Sequence, residues 1–181
     1  MKRYTFTYTA ATYQSPIGPL LLAADGSMLA GIWFEGQKYF PTNLPITYGM
    51  PPILRQTMDW LDRYFAGEAP SPLSLPLAPA SSDFRRQVWD ILCRIPYGQV
   101  TTYGEIAAEL ARHRGIPSIS AQAVGGAVGH NPISIIIPCH RVIGSDGSLT
   151  GYAGGLERKQ YLLAWEQADL TKFYYPHQIN K

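Results

Sequence analysis

The chain has 181 residues, of which 46% are hydrophobic and 15% are charged, and its formal net charge is +2. This is enough apolar material for one full domain or two small ones. A net charge so close to zero carries no electrostatic signature of nucleic-acid binding, and it does not exclude such binding either. The first fifteen residues lack an apolar core of signal-peptide length, and no apolar run is long enough to span a membrane. We therefore expect neither secretion nor a membrane partner.

The cysteine content points to a reducing compartment. Two cysteines, Cys93 and Cys139, are too few for a disulfide framework or a thiolate zinc site. We therefore expect a cytoplasmic protein in which one cysteine is kept for its reactivity.

The first third is predicted to form a small sheet with one helix. Alternating aromatic and threonine residues give the period of a half-buried strand over residues 4–9. Asp25-Gly26 lies between two apolar runs and predicts a hairpin turn. Four apolar residues then recur at helical spacing before Gly67, which ends the helix: Leu54, Met58, Leu61 and Phe65.

A proline-rich segment separates this part from the rest of the chain. Four prolines fall between residues 68 and 82, a composition that excludes regular helix and central strand. We assign a scaffold domain to residues 1–70, a connector to 71–82, a second domain to 83–168 and a tail to 169–181. We expect the aromatic part of the tail, which includes Phe173 and Tyr174, to cover the first domain.

The second domain is predicted to begin with two short helices. Ser82 or Asp83 caps the first, and its apolar stripe ends before Pro96. Thr102, with Glu105 three residues later, has the spacing of a capping box. The helix that it starts is expected to run through about residue 112.

A further helix is predicted over residues 121–129, after a break at Gly115 and a cap at Ser118 or Ser120. Two short helices joined at a glycine suggest a helix-turn-helix, although this pair is also common in proteins that do not bind DNA. The second of them has little side-chain bulk. That composition fits tight packing against a neighbouring helix, or close approach of its backbone to a phosphate or groove wall. Composition alone favours packing.

The most informative segment is an isoleucine-rich run over residues 133–137 that is followed by Pro-Cys-His-Arg. The run predicts a buried strand or extended segment, at whose end Cys139 and His140 are presented. A thiolate is the reactive form of cysteine, and an imidazole or guanidinium nearby, from His140 or Arg141, lowers its pKa. The alternative is that Cys139 is a small buried apolar residue, which is how we interpret Cys93.

The active-site signature of the O6-alkylguanine-DNA alkyltransferases resembles three segments of this chain: Asn131-Pro132, Pro138-Cys139-His140-Arg141-Val142 and Gly151-Tyr152-Ala153-Gly154-Gly155. The resemblance covers residues 84–166 and, more weakly, the first domain from Ser15-Pro16-Ile17-Gly18 through its hairpin. It implies an α+β fold, in which a small N-terminal antiparallel sheet with a helix is ribonuclease H-like. The C-terminal domain would be helical and winged-helix-like, with a helix-turn-helix.

The resemblance also implies a reaction and a role for each reacting residue. An alkyl group on O6 of guanine, or on O4 of thymine, would pass from duplex DNA to Cys139 irreversibly, once per molecule. His140 would act through a water as the base that keeps Cys139 a thiolate, and Glu166 would orient His140. Asn131 would form the hinge before the active-site loop. Tyr103 would press on the phosphate 3′ to the lesion and offer its hydroxyl to the departing guanine.

Other residues are implied to contact double-stranded DNA, from the minor-groove side, or the extruded base. They are Gln122, Ala121, Gly125, Gly126, Arg141, Tyr152, Ala153 and Gly154. Many relatives carry an arginine where this chain has Gln122, which is uncharged and has less reach. We therefore expect weaker extrusion of the base or weaker affinity, without loss of the reaction. The protein is expected to act as a monomer.

No cofactor and no metal are expected. Some relatives bind zinc in the first domain, but this chain has no cysteine before Cys93 and no histidine before His113. Two other functions compete with repair. A non-enzymatic sensor of alkylated DNA would lack the acceptor cysteine, so Cys139 argues against it. A cysteine hydrolase usually places its histidine far from the cysteine in sequence.

Overall fold

The computed structural model describes residues 7–174. They fold as two compact units. The first contains the described residues up to Ala80 together with Pro132–Ser134, and the second contains Ser81–Asn131 and the residues from Ile135 onward. Within the described part of the chain, no helix is both long and apolar enough to cross a membrane.

The first unit is a sheet of four strands in the order β3-β2-β1-β4, with one helix. Its elements are β1 (Tyr8–Ser15), β2 (Gly18–Asp25), β3 (Met28–Phe34), β4 (Ile46–Tyr48) and α1 (Pro52–Phe65). The predicted hairpin is present: β2 and β3 pair antiparallel, and Gly26 turns the chain between them with a φ of 58°. A left-handed φ of this kind favours glycine. Strand β4 was not predicted and pairs parallel to β1, so the sheet is mixed.

The first unit was also predicted to contain a strand over residues 4–9 and a helix that ends before Gly67. Of the strand expected over residues 4–9, residues 4–6 lie outside the described residues, and β1 begins at Tyr8. Helix α1 is confirmed, with Leu54 and Leu61 fully buried on its inner face. Gly67 follows its end with a φ of 88° and donates its N–H to the Tyr64 carbonyl, as a helix stop requires.

Two segments cover the outer edge of β3. Leu77, from the proline-rich connector, bridges Leu29, and Ile133 bridges Ile32. The Ile32 amide donates to the Pro132 carbonyl at 2.8 Å. Covering an edge in this way satisfies backbone groups that would otherwise invite pairing with another chain. β3 is buried almost throughout and does not alternate, so both of its faces are covered.

The second unit is mainly helical. Its elements are α2 (Asp83–Leu92), β5 (Thr101–Thr102), α3 (Tyr103–Arg114), α4 (Ala121–Gly129), β6 (Val142–Ile143) and α5 (Leu156–Trp165). Ser82 and Ser120 cap α2 and α4, and the capping box of Thr102 and Glu105 is formed in both directions. The Trp89 indole donates to the Ala127 carbonyl at 2.9 Å, which ties α2 to α4. β5 and β6 pair parallel.

The isoleucine-rich run does not form the predicted strand. Ile133 makes a single bridge, and the chain then turns, with Ile135 at a left-handed φ of 71°. A β-branched residue rarely adopts a positive φ, so this turn is strained. Complete burial of Ile135 and Ile136 holds it in place. The turn leads directly to Cys139, which opens a short 3-10 turn.

The tail differs from expectation as well. Leu170–Lys172 form a 3-10 turn, and Phe173 packs with Ile143, Leu149 and Leu163 of the second unit. The expectation that Phe173 and Tyr174 cover the first domain is therefore wrong for these residues. The rest of the tail lies outside the described residues.

Two glycine substitutions test the helix assignments. Gly115 ends α3 at a φ of 64°, where a side chain costs about 1–2 kcal/mol. Gly126 lies inside α4, where alanine stabilises by about 0.4–1 kcal/mol. Among the described residues, no atom lies within 4 Å of a Cβ added at either glycine. In urea unfolding, Gly115→Ala should lower the free energy of unfolding and Gly126→Ala should raise it. Shifts of the same sign would contradict the assigned helix bounds.

Candidate active site

A buried carboxylate gathers several groups of the second unit. Glu166 lies at the C-terminal cap of α5, and its side chain is fully buried. Its Oε1 accepts from His140 Nε2 at 2.7 Å, and its Oε2 accepts from Arg141 Nε at 2.8 Å and from the Gly98 amide at 3.1 Å. Arg141 Nη2 also donates to Oε1 at 3.0 Å. The carboxylate is therefore held by one imidazole, one guanidinium and one backbone amide.

The charges in this group fix the tautomer of His140. Burial lowers the pKa of His140, so its ring is neutral at neutral pH. Burial alone would raise the pKa of Glu166, but the hydrogen bonds from His140 and Arg141 and the charge of Arg141 outweigh it and hold that pKa below its usual range. Because a carboxylate can only accept, His140 Nε2 must carry the proton. Nδ1, which has no hydrogen-bond partner among the described residues, then carries the lone pair.

Arg141 does not occupy the position predicted for it. We expected it to contact DNA or the base, or to lower the pKa of Cys139. Instead it is 5% exposed, forms a bidentate pair with Glu166 and donates to the Ile95 carbonyl at 2.5 Å. Its guanidinium also lies 5.8 Å from the ring centre of Tyr97. Arg141 is thus a buried partner of the carboxylate and does not reach the surface.

Cys139 is held by Asn131. The Asn131 amide donates to Cys139 Sγ at 3.0 Å and to the Ile137 carbonyl at 2.8 Å, so one side chain fixes both the sulfur and the loop before it. Cys139 is 4% exposed. Burial raises the pKa of its thiol, against the opposing effects of the Asn131 hydrogen bond and the charge of Lys159. Ionisation in the folded protein therefore needs a proton acceptor.

Lys159 is a functional candidate that the sequence analysis missed. It lies on α5, is fully buried, and donates to the carbonyls of Val142 and Thr150 at 2.5 Å each. Burial lowers its pKa to about 8, and the negative charge of a Cys139 thiolate acts in the opposite direction. The sequence did carry a signal: a lysine stands three residues before Leu162, on the apolar side of the helix. Lysine is almost never fully buried without a partner.

Tyr103 contacts the loop that follows β6, and Tyr152 is part of that loop. The Tyr103 hydroxyl donates to the Thr150 carbonyl at 3.1 Å. Gly151 is next in the loop, with a φ of 72°, and a Cβ there would collide with that hydroxyl. Tyr152 is buried and meets the His140 ring edge to face, with 6.4 Å between ring centres. The loop continues through Ala153, partly buried, and Gly154, fully enclosed.

The residues predicted to contact DNA on α4 lie on an exposed surface. Ala121, Gln122 and Gly126 are exposed, and Gly125 is partly buried beside the Tyr103 ring. Because no described atom would meet a Cβ on Gly126, tight packing does not account for that glycine. The structure therefore brings Asn131, Cys139, His140 and Glu166 together through direct contacts and leaves one face of α4 open.

The other cysteine is a poor nucleophile. Cys93 is partly buried, and burial raises the pKa of its thiol to about 11. Residues 7–174 contain no cluster of three or more His, Cys, Asp or Glu side chains that is arranged to hold a metal ion. That the protein needs neither metal nor cofactor stays a prediction.

Two family models match the chain. The DNA binding domain of 6-O-methylguanine DNA methyltransferase matches residues 83–168, and the ribonuclease-like domain matches residues 8–79. The chain belongs to the 6-O-methylguanine DNA methyltransferase family. The resemblance found in the sequence and the α+β fold that it implied are confirmed.

Individual relatives resemble the chain over most of its length. The methylated-DNA–protein-cysteine methyltransferase of Mycobacterium tuberculosis is 46% identical over 166 residues, which are 90% of this chain and 96% of the relative. That of Haemophilus influenzae is 41% identical over 155 residues, 86% of this chain and 84% of the relative. The crystal structure of Mycobacterium tuberculosis OGT in complex with DNA is 45% identical, with a TM-score of 0.76, and the match covers 93% of this chain and 99% of that one.

Lys159→Met tests the electrostatic role of the buried lysine. It removes a charge that lowers the pKa of Cys139 and keeps an unbranched side chain of similar length. The rate of Cys139 alkylation by iodoacetamide at neutral pH, followed by mass spectrometry, should fall about tenfold, because without the ammonium charge a smaller fraction of the thiol is ionised. Because the pKa of Lys159 is about 8, its ammonium is charged below that pH, and the difference from the parent should shrink above it.

Lys38→Met, at an exposed position, is the matched control, and circular dichroism checks that both variants are folded. An unchanged alkylation rate at neutral pH in folded Lys159→Met would show that the lysine does not influence the thiol.

Proposed function

We propose that the protein repairs DNA by moving an alkyl group from O6 of guanine, or O4 of thymine, in duplex DNA to Cys139. The transfer is direct and irreversible and happens once per molecule. One observation carries the proposal: Cys139 Sγ is held by Asn131, while the next residue, His140, is paired with buried Glu166. This is the arrangement of an activated nucleophile, in a chain of the methyltransferase family.

The catalytic steps follow from the tautomer of His140. Nδ1 takes the thiol proton of Cys139 through a water, and Glu166 stabilises the imidazolium that forms. The thiolate attacks the alkyl carbon in line, and the electrons of the carbon–oxygen bond return to guanine. Tyr103 offers its hydroxyl proton to the departing base, which leaves as neutral guanine. The thioether on Cys139 has no second thiol to displace it, so the protein is consumed.

Burial of Cys139 requires the target nucleotide to leave the duplex. A base within the double helix cannot reach a sulfur that is 4% exposed, so the nucleotide is flipped out at a cost of a few kcal/mol. We assign Tyr152, Ala153 and Gly154 to the walls of the pocket that receives it. The edge contact between Tyr152 and His140 supports this assignment, since it places the loop beside the reacting residues.

Helix α4 is proposed to bind the minor groove. Its exposed face includes Ala121 and Gly126, and the open space at Gly126 lets the helix backbone approach the DNA closely. Gln122, in the first turn of α4, takes the place of the expelled base and hydrogen-bonds its orphaned partner. Because glutamine carries no charge, this step is weaker than with the arginine of many relatives.

The proposal extends to partners and organisation. The partner is double-stranded DNA, which the protein binds as a monomer in the cytoplasm, without a cofactor. Residues 83–168 carry both DNA binding and alkyl transfer, residues 1–70 serve as a scaffold, and 71–82 connect the two. The open surface of α4 and the location of all the reacting residues within the second unit support this division.

Intact-mass measurement tests the proposal. A duplex oligonucleotide with one O6-methylguanine should add one methyl group to the parent protein, on Cys139, in a stoichiometric burst. Cys139→Ser should gain none and leave the oligonucleotide methylated, whereas Cys93→Ser, the matched control, should react like the parent because its raised pKa keeps that thiol inert. Tight binding without transfer would favour a damage sensor, and repeated turnover on an ester would favour a hydrolase.

A further inference from the structure

The last described residues of the chain are fastened to the loop that follows β6. We call residues 170–174 the strap and residues 144–151 the pocket loop. The Leu149 amide donates to the Tyr174 carbonyl at 2.9 Å, and the Tyr174 amide donates to the Gly147 carbonyl at 3.2 Å. The Tyr174 hydroxyl donates to Asp146 Oδ2 at 2.6 Å. Tyr174 therefore binds the loop through three hydrogen bonds, two from its main chain and one from its side chain.

Apolar packing and a close backbone contact also hold the strap against the pocket loop. Leu170 and Phe173 pack against a buried cluster of Ile143, Leu149, Leu163 and Ala168. Gly147 has a φ of 86°, and a Cβ there would come within 2.6 Å of the Lys172 carbonyl oxygen. The two backbones are thus in direct contact, and the strap is an integral part of the second unit.

The Thr150 carbonyl of the pocket loop accepts hydrogen bonds from two residues of the candidate site. Thr150 O accepts from the Tyr103 hydroxyl at 3.1 Å and from Lys159 Nζ at 2.5 Å. Leu149, which the strap holds through its amide, is the residue just before Thr150. Any shift of the loop at Leu149 therefore moves the acceptor that orients both Tyr103 and Lys159.

We propose that Tyr174 is a positioning residue, which acts through the pocket loop to hold the Thr150 carbonyl, and with it Tyr103 and Lys159, in place for alkyl transfer. The inference rests on the proposed function, because the reaction is what it serves. Hydrogen bonds from Ser148 and Tyr174 hold the pKa of Asp146 at about 2, so the carboxylate accepts the Tyr174 hydroxyl throughout the working pH range.

Two variants test the strap, and each has a matched control. Truncation after Asp169 is compared with truncation after Tyr174, and Tyr174→Phe is compared with Tyr161→Phe on α5. Truncation after Asp169 should lower the single-turnover rate of methyl transfer at saturating duplex by about tenfold or more, because a small misplacement of positioned groups costs that much. The affinity for duplex should change little, since the strap is hydrogen-bonded to the pocket loop, whereas duplex binding is assigned to α4. Truncation after Tyr174 and Tyr161→Phe should match the parent.

A double-mutant cycle separates positioning from general destabilisation. Tyr103→Phe should slow transfer less in the Tyr174→Phe background than in the parent, because coupled residues are not additive. Additive effects, or a parental rate after truncation at Asp169, would overturn the proposal.

Hydrogen–deuterium exchange gives a readout that needs no activity. Truncation after Asp169 should deprotect the Leu149 amide, and truncation after Tyr174 should not. Unchanged protection of Leu149 would also overturn the proposal. A parent chain that transfers no methyl group would instead count against the proposed function alone, since exchange still reports on the strap.

Discussion

The ion pair between Glu166 and Arg141 is the constraint on which the candidate site depends. A carboxylate without exposure to water is strongly unfavourable unless it is paired and fully hydrogen-bonded. Arg141 supplies a permanent charge through a bidentate contact, so Glu166 stays ionised in a place where a lone acid would be neutral. An ionised Glu166 can only accept hydrogen bonds. The His140 nitrogen that faces it, Nε2, must therefore be the protonated one. The buried pair of Glu166 and Arg141 therefore leaves Nδ1 as the basic nitrogen of His140.

Burial lowers the reactivity of the Cys139 thiol by raising its pKa. An enclosed thiol with a raised pKa stays protonated and unreactive toward chance electrophiles, which suits a residue that reacts once. Asn131 and Lys159 counter the effect of burial by stabilising the charged sulfur, and in the proposed reaction His140 takes its proton. In a buried site, each of these interactions is stronger than it would be at the surface. The pocket loop joins Lys159 to Tyr103 through the shared Thr150 carbonyl.

Short-range patterns revealed much of this arrangement in advance. Cys139 and His140 stand in one contiguous motif, and the helix caps and the hairpin depend on neighbours within a few residues, so the sequence displays them directly. Arg141 was placed wrongly because its partner is 25 residues away, and a charge beside a reactive pair resembles a DNA contact until its burial is known. Lys159 was missed because its burial and its acceptors, the Val142 and Thr150 carbonyls, depend on contacts between residues that are distant in sequence. The run over residues 133–137 was taken for a buried strand or extended segment because hydrophobicity alone cannot distinguish either of these from a buried turn.

The protonation state of His140 tests this account most directly. The chain has four histidines, and a His140→Gln variant identifies the signals of this one in the ¹⁵N NMR spectrum of protein labelled on histidine. At neutral pH the account predicts a neutral ring with a protonated Nε2 and an unprotonated Nδ1. A ring protonated on both nitrogens, or on Nδ1 alone, would contradict it, because His140 would then have no lone pair to accept the proton of Cys139.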